Sequence, residues 1–139
     1  MATAQVVKTV AAPVSAVWAQ LGNFAGVQVG GPVESVSFEG EGVGMTRSIG
    51  MGGGTIVERL EEHNEAARRF TYAIINDDSP LPFSGYAATV QLGDNGDDTT
   101  TVIWTGTFEA RGIPEAEAVN IATGIYAGAI KGAQIALED

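Results

Sequence analysis

Apolar residues recur along this chain with two different periods. Alternation at every second position marks Ala4–Val10 as a strand, and similar runs recur at about 33–39, 44–50, 54–62, 68–75, 84–92 and 99–109. Turn signals separate them: Gly40–Gly44, Met51–Gly54, His63-Asn64-Glu65, Asp77–Pro82 and Asp94-Asn95-Gly96-Asp97. Helical spacing appears twice. Val14, Val17, Trp18 and Leu21 fall on one face just after Pro13, and Gly22–Gly26 breaks that helix and can carry a second short helical turn. From Pro114 to Leu137 a longer stripe runs through Val119, Ala122, Tyr126, Ala129, Ala133 and Ala136/Leu137, with Glu115 and Glu117 placed favourably for the helix dipole.

The predicted order is one strand, short helices, six strands and a long final helix. Short connections argue for antiparallel hairpins, and the order argues for an α+β fold with one sheet face covered by helix. A strongly curved sheet wrapped on a long helix can enclose a cavity. Gly124, Gly128 and Gly132 recur every four residues on that helix, a spacing expected to let another backbone approach closely.

The strand faces add the chemistry. Arg47 shares a face with Met45 and Ile49, and Glu58 with Ile56 and Leu60, although both faces otherwise suit a core. Phe70, Tyr72 and Ile74 form the apolar face of the next strand; Tyr86, Ala88, Val90 and Leu92 that of the one after. Val102, Trp104 and Phe108 follow on the last, with Gly106 leaving a gap; Thr99, Thr101, Ile103, Thr105 and Thr107 form the opposite face, suited to water. Buried charge is costly unless paired or given something to bind. The inward set is therefore Arg47, Glu58, Tyr72, Tyr86 and Trp104: one cation, one carboxylate and two phenols among apolar neighbours, which suits a small-molecule pocket. A plain buried ion pair with ordinary core tyrosines accounts for the same residues.

Composition narrows the partners. The 139 residues suit a single domain spanning 1–139, and 45% hydrophobic content is that of a globular chain. A net charge of −10 argues against nucleic acid and anionic membrane surfaces. No apolar run is long enough to span a bilayer, and the first residues lack a signal-peptide layout, so a cytoplasmic location is expected. Without cysteine there is no disulfide and no thiol nucleophile. His63 reads as a solvated loop residue, and without a ligand set around it no metal site is expected. Asp77-Asp78 and Asp97-Asp98 lack calcium-loop spacing and read as turns. The clusters Gly40–Gly44 and Gly50–Gly54 precede strands rather than helices, so they read as hairpin turns and not nucleotide loops.

Several segments together resemble the SRPBCC superfamily, which includes START lipid carriers and the birch pollen allergen. They are Ala12–Trp18, Gly44–Arg47, Val57–Leu60, Arg69–Tyr72, Tyr86–Leu92 and Val102–Trp104. Within it, the chain is most similar to the polyketide cyclase/dehydrase-type branch that includes plant lachrymatory factor synthase. The resemblance implies the helix-grip fold: a curved seven-stranded antiparallel sheet, two short helices after the first strand, and a long C-terminal helix over a cavity. It also implies an arginine and a glutamate that act on the substrate, at Arg47 and Glu58, with cavity tyrosines at Tyr72 and Tyr86. The chain departs from the branch in a shorter Gly50–Gly54 connection, its own Asp77–Pro82 segment and a helix rich in alanine and glycine.

The leading expectation is a cofactor-independent enzyme performing isomerisation, cyclisation, dehydration or elimination on a small apolar or aromatic molecule. Glu58 is the expected general acid/base, Arg47 its partner and oxyanion holder, Tyr72 and Tyr86 the positioning groups and Trp104 an apolar wall. The alternative is a non-catalytic carrier of a hydrophobic ligand. A homodimer built on the small-residue helix ridge or a sheet edge is the third reading.

Overall fold

The computed structural model describes residues 1–27, 29–30 and 32–138. Seven strands form one antiparallel sheet: β1 (Ala2–Val10), β2 (Ser35–Glu39), β3 (Thr46–Met51), β4 (Gly54–Asn64), β5 (Arg69–Ile74), β6 (Phe83–Asp94) and β7 (Thr100–Ala110). Two helices, α1 (Val14–Leu21) and α2 (Glu115–Glu138), complete it, with a short 3-10 turn at Phe24–Gly26. The order across the sheet is β1-β7-β6-β5-β4-β3-β2, so every neighbour except β1–β7 is a sequential hairpin. This is the helix-grip α+β architecture expected from the sequence.

Local chemistry sets the details. Gly52 and Gly53 form the two-residue turn between β3 and β4 with φ of 61° and 80°, a left-handed pair that side chains rarely adopt. That turn fixes the register in which Arg47 faces Glu58 directly across the ladder. The register slips between Leu60 and Glu62 of β4 and between Ser84 and Ala87 of β6, and such bulges bend the strands that carry them. Burial alternates strictly along β7, with Thr100, Val102, Trp104, Gly106 and Phe108 inward.

The long helix does not cover the whole concave face. It packs on β1 and β7 and touches α1, and it makes its main contacts away from β3 and β4. Its buried residues are Ala118, Ala122, Tyr126, Ile130 and Ala133. The expected stripe is thus shifted: Val119 and Ala129 are only partly buried, and Ile130 takes a place not assigned to it. Small residues at 118 and 122 let the helix settle close to the sheet, and Tyr126 reaches into the gap left by Gly106. Where the helix stops covering, the inner faces of β3, β4 and β5 remain to line a hollow.

The glycine ridge differs from expectation. A side chain added at Gly124, Gly128 or Gly132 would meet nothing within 4 Å, so no backbone approaches there. Among the described residues no helix is long and apolar enough to cross a membrane.

Candidate functional site

A cavity of about 730 Å³ lies between the uncovered half of the sheet and the flank of α2. Its sheet wall is made by Arg47, Ile49 and Met51 of β3, Ile56 and Glu58 of β4, Phe70 and Tyr72 of β5, and Trp104 of β7. Its helix wall is made by Ile121, Gly124, Ile125, Gly128 and Ala129, and the segment after α1 closes one side. Ile121 and Ile125 are about 40% exposed, at 41% and 40%, which places the mouth along this flank of the helix. The volume suits a molecule of drug-like size.

Arg47 and Glu58 meet on the sheet wall. Arg47 Nε donates to Glu58 Oε1 at 2.6 Å, and both side chains are nearly buried. Arg47 Nη1 donates to the carbonyl of Phe24 at 3.0 Å, and the guanidinium lies 4.0 Å from the centre of the Phe24 ring. It also lies 5.5 Å from the centre of the Tyr72 ring. The cation is therefore fixed from three sides by charge, carbonyl and π-face. Glu58 Oε2 has no hydrogen bond among the described residues, yet it is not sealed off, and Glu58 lines the cavity. That oxygen is the one a ligand would meet.

Beside the pair runs a line of hydroxyls. Trp104 Nε1 donates to the Tyr72 hydroxyl at 3.3 Å, Tyr72 and Tyr86 share a hydrogen bond of 3.1 Å, and Tyr86 and Tyr126 share one of 2.5 Å. Trp104 lies almost flat on Tyr126, with ring centres 5.2 Å apart and planes inclined by 13°. Burial pushes the proton affinity of Tyr72 and Tyr86 well above the usual phenol range, and the neighbouring Glu58 charge adds to the effect at Tyr72. Burial also raises Tyr126, to about 12.

All five residues singled out from the sequence point inward, but they do not stand equally. Arg47, Glu58, Tyr72 and Trp104 line the cavity. Tyr86 is not part of its wall; it stands behind Tyr72, which separates it from a ligand. Two residues were missed. Phe24, which caps Arg47, comes from the 3-10 turn at Phe24–Gly26, which is too short to show which side chain it buries. Tyr126 was assigned to the helix stripe, and only the register of α2 against Gly106 brings its hydroxyl to Tyr86.

A second, outer hollow of about 520 Å³ lies on the far side of Phe24, lined by Trp18, Phe24, Val43, Met45, Leu60 and His63 among others. His63 is exposed, as expected, but it lies at the end of β4 and not in a loop; its Nε2 pairs with the Gly22 carbonyl at 3.0 Å, and its ring packs against Trp18. The Trp18 indole N–H is taken by Glu65.

A family model described as polyketide cyclase/dehydrase and lipid transport matches residues 1–138. Among solved structures, the protein XoxI from Bacillus cereus is 31% identical with a TM-score of 0.87, the alignment covering 100% of this chain and 97% of that one. A putative uncharacterized protein from Bacillus thuringiensis is 30% identical with a TM-score of 0.84, covering 99% and 100% of the two chains. A protein from Thermobifida fusca is 28% identical with a TM-score of 0.71, covering 93% and 85%. No curated protein matches the chain.

Proposed function

The chain belongs to the polyketide cyclase/dehydrase and lipid-transport family, and on that premise we propose that it is a cofactor-independent enzyme working on a small, mainly apolar molecule held in the inner cavity. The observation that carries this reading is the Arg47–Glu58 pair on the cavity wall, with Glu58 Oε2 accepting no hydrogen bond from the described residues. Glu58 takes or gives the proton. Arg47 holds the carboxylate in place through Nε and offers its remaining N–H groups to charge that develops on a substrate oxygen. Tyr72 orients that oxygen, and Trp104 supplies an apolar wall. Isomerisation, cyclisation, dehydration and elimination all fit, because each needs a proton transfer and a partner for an oxyanion.

The test is Glu58→Gln, which keeps size and removes the proton acceptor. Turnover of a substrate found by screening, or of the compound that co-purifies, is expected to fall by roughly 10²-fold or more with binding retained. Turnover at the wild-type rate would sink the mechanism.

A second reading, a carrier of a hydrophobic ligand, is favoured by the aliphatic run of Ile49, Ile56, Leu81, Ile121 and Ile125 around the hollow. In that case Arg47 and Glu58 anchor a polar end. Tight binding with the ligand recovered chemically unchanged supports the carrier over the enzyme.

A further inference from the structure

The three hydroxyls can share their protons along the line in either direction or converge on Tyr86, and convergence would strand the proton of the buried Tyr86. Tyr126 is 0% exposed, and its only hydrogen-bond partner among the described residues is Tyr86. If protons ran from Tyr72 to Tyr86 to Tyr126, the last proton would be sealed at Tyr126 with nothing to accept it. A buried donor left without a partner forfeits its hydration with nothing in exchange. If they run the other way, Tyr126 donates to Tyr86 and Tyr86 donates to Tyr72. The Tyr72 oxygen then accepts twice, from Tyr86 at 3.1 Å and from Trp104 Nε1 at 3.3 Å, which fills the two lone pairs of a hydroxyl. The one proton left over is that of Tyr72, the only one of the three tyrosines that lines the cavity among the described residues, with its ring centre 5.5 Å from the Arg47 guanidinium.

We infer that Tyr126, Tyr86 and Tyr72 form a one-way hydrogen-bond relay that presents the Tyr72 hydroxyl proton to the cavity, so that the ligand carries an acceptor oxygen, a carbonyl or enol, at that point. Tyr86 and Tyr126 are positioning residues in this scheme. They touch no ligand, but each donated proton polarises the next hydroxyl and strengthens the terminal donor. The direction of the relay stands independently of the proposed enzyme; the assignment of the ligand oxygen rests on the inner cavity being the ligand site.

The chain has only three tyrosines, so tyrosine-labelled protein gives one ring signal for each member of the relay. The hydroxyl proton of Tyr86 is followed by NMR in the ligand-free protein, in Tyr72→Phe and in Tyr126→Phe, isosteric changes whose folding is checked by thermal melting. The relay predicts that this resonance loses its hydrogen-bonded position in Tyr72→Phe and nearly keeps it in Tyr126→Phe. The reverse pattern, equal effects of the two variants, or a Tyr86 proton exchanging freely with water in the wild type would overturn the direction.

The ligand arm uses 2-acetylnaphthalene and its oxygen-free analogue 2-ethylnaphthalene. The ketone should bind roughly tenfold tighter. Its carbonyl stretch should fall in frequency on binding and recover in Tyr72→Phe. Equal affinities or an unshifted carbonyl would overturn the acceptor-oxygen assignment and leave the relay standing. Binding of neither compound would overturn that assignment through its premise, the cavity as ligand site. Loss of turnover in Glu58→Gln is a separate observation and bears on neither arm.

Discussion

At the scale of single residues, the site is a problem in pairing charge and protons away from water. Arg47 and Glu58 offset each other's desolvation, so removing one partner strands the other. Arg47→Met is expected to cost roughly 3 kcal/mol in urea unfolding, and the double variant Arg47→Met, Glu58→Leu should recover most of that loss. A double variant no more stable than Arg47→Met would contradict the pairing argument. The tyrosines give a pH signature. Tyr72, Tyr86 and Tyr126 all hold their protons more tightly than the ordinary value of 10.0 found in an unfolded chain. As pH rises through about 10 the unfolded chain therefore loses protons first, and stability falls from there upward. Tyrosinate absorbance should accordingly appear together with loss of near-ultraviolet circular dichroism, in one transition; a smooth titration near 10 in the folded protein would refute this. Arg47, Glu58, Tyr72 and Trp104 were legible because a strand shows its two faces by alternation alone. Phe24 was not, since the carbonyl and ring of a single 3-10 turn can be placed only by the folded chain around them.

At the scale of elements, glycines with the same name have opposite roles. Gly106 lies under the Tyr126 hydroxyl, in a space too small for a methyl group. Gly106→Ala should cost about 1–3 kcal/mol through overpacking and should also disturb the tyrosine relay. Gly124 and Gly128 face open space along the cavity wall. Gly124→Ala and Gly128→Ala should each stabilise α2 by up to about 1 kcal/mol while narrowing the hollow, seen as a higher melting temperature with weaker binding of the larger probe ligands. A fall in melting temperature would show that the helix flank is not free. The sequence displayed the four-residue glycine spacing but not its meaning, because periodicity says which residues share a flank and not what lies opposite. The same limit applies to the Asp77–Pro82 segment. It read as a turn, but its shape is held by Arg111, which donates to the carbonyls of Asp77 at 2.6 Å and Leu81 at 2.8 Å and also binds that of Ser79. No local pattern links residue 111 to that loop, which contributes Leu81 to the cavity.

At the scale of the whole molecule, the hollow exists because one helix covers a sheet wider than itself. The sequential hairpins were readable from turn signals and the curved seven-stranded sheet from family resemblance, but the pairing of β1 with β7 was not; the cavity's position depended on which strands the helix covers. Its C-terminal half is also tied to the start of the chain, with Glu138 accepting from the Ala11 amide at 3.0 Å and Gln134 donating to the Thr9 carbonyl at 3.2 Å. The middle of the helix borders the mouth instead, so amides at 121–129 should gain hydrogen-exchange protection when a ligand binds, more than those at 130–137. Uniform protection along the helix would argue for a global effect and not an occupied cavity. The two tryptophans have a further, optical consequence. Trp18 lines the outer hollow and Trp104 the inner one. Trp104 donates to the Tyr72 hydroxyl at the end of the relay, and Tyr126 is stacked against its indole, so part of the excitation absorbed by the phenols passes to Trp104 at contact distance. A ligand entering the inner cavity should therefore change the emission of Trp104, and one entering the outer hollow that of Trp18, each read alone in the Trp18→Phe or Trp104→Phe variant.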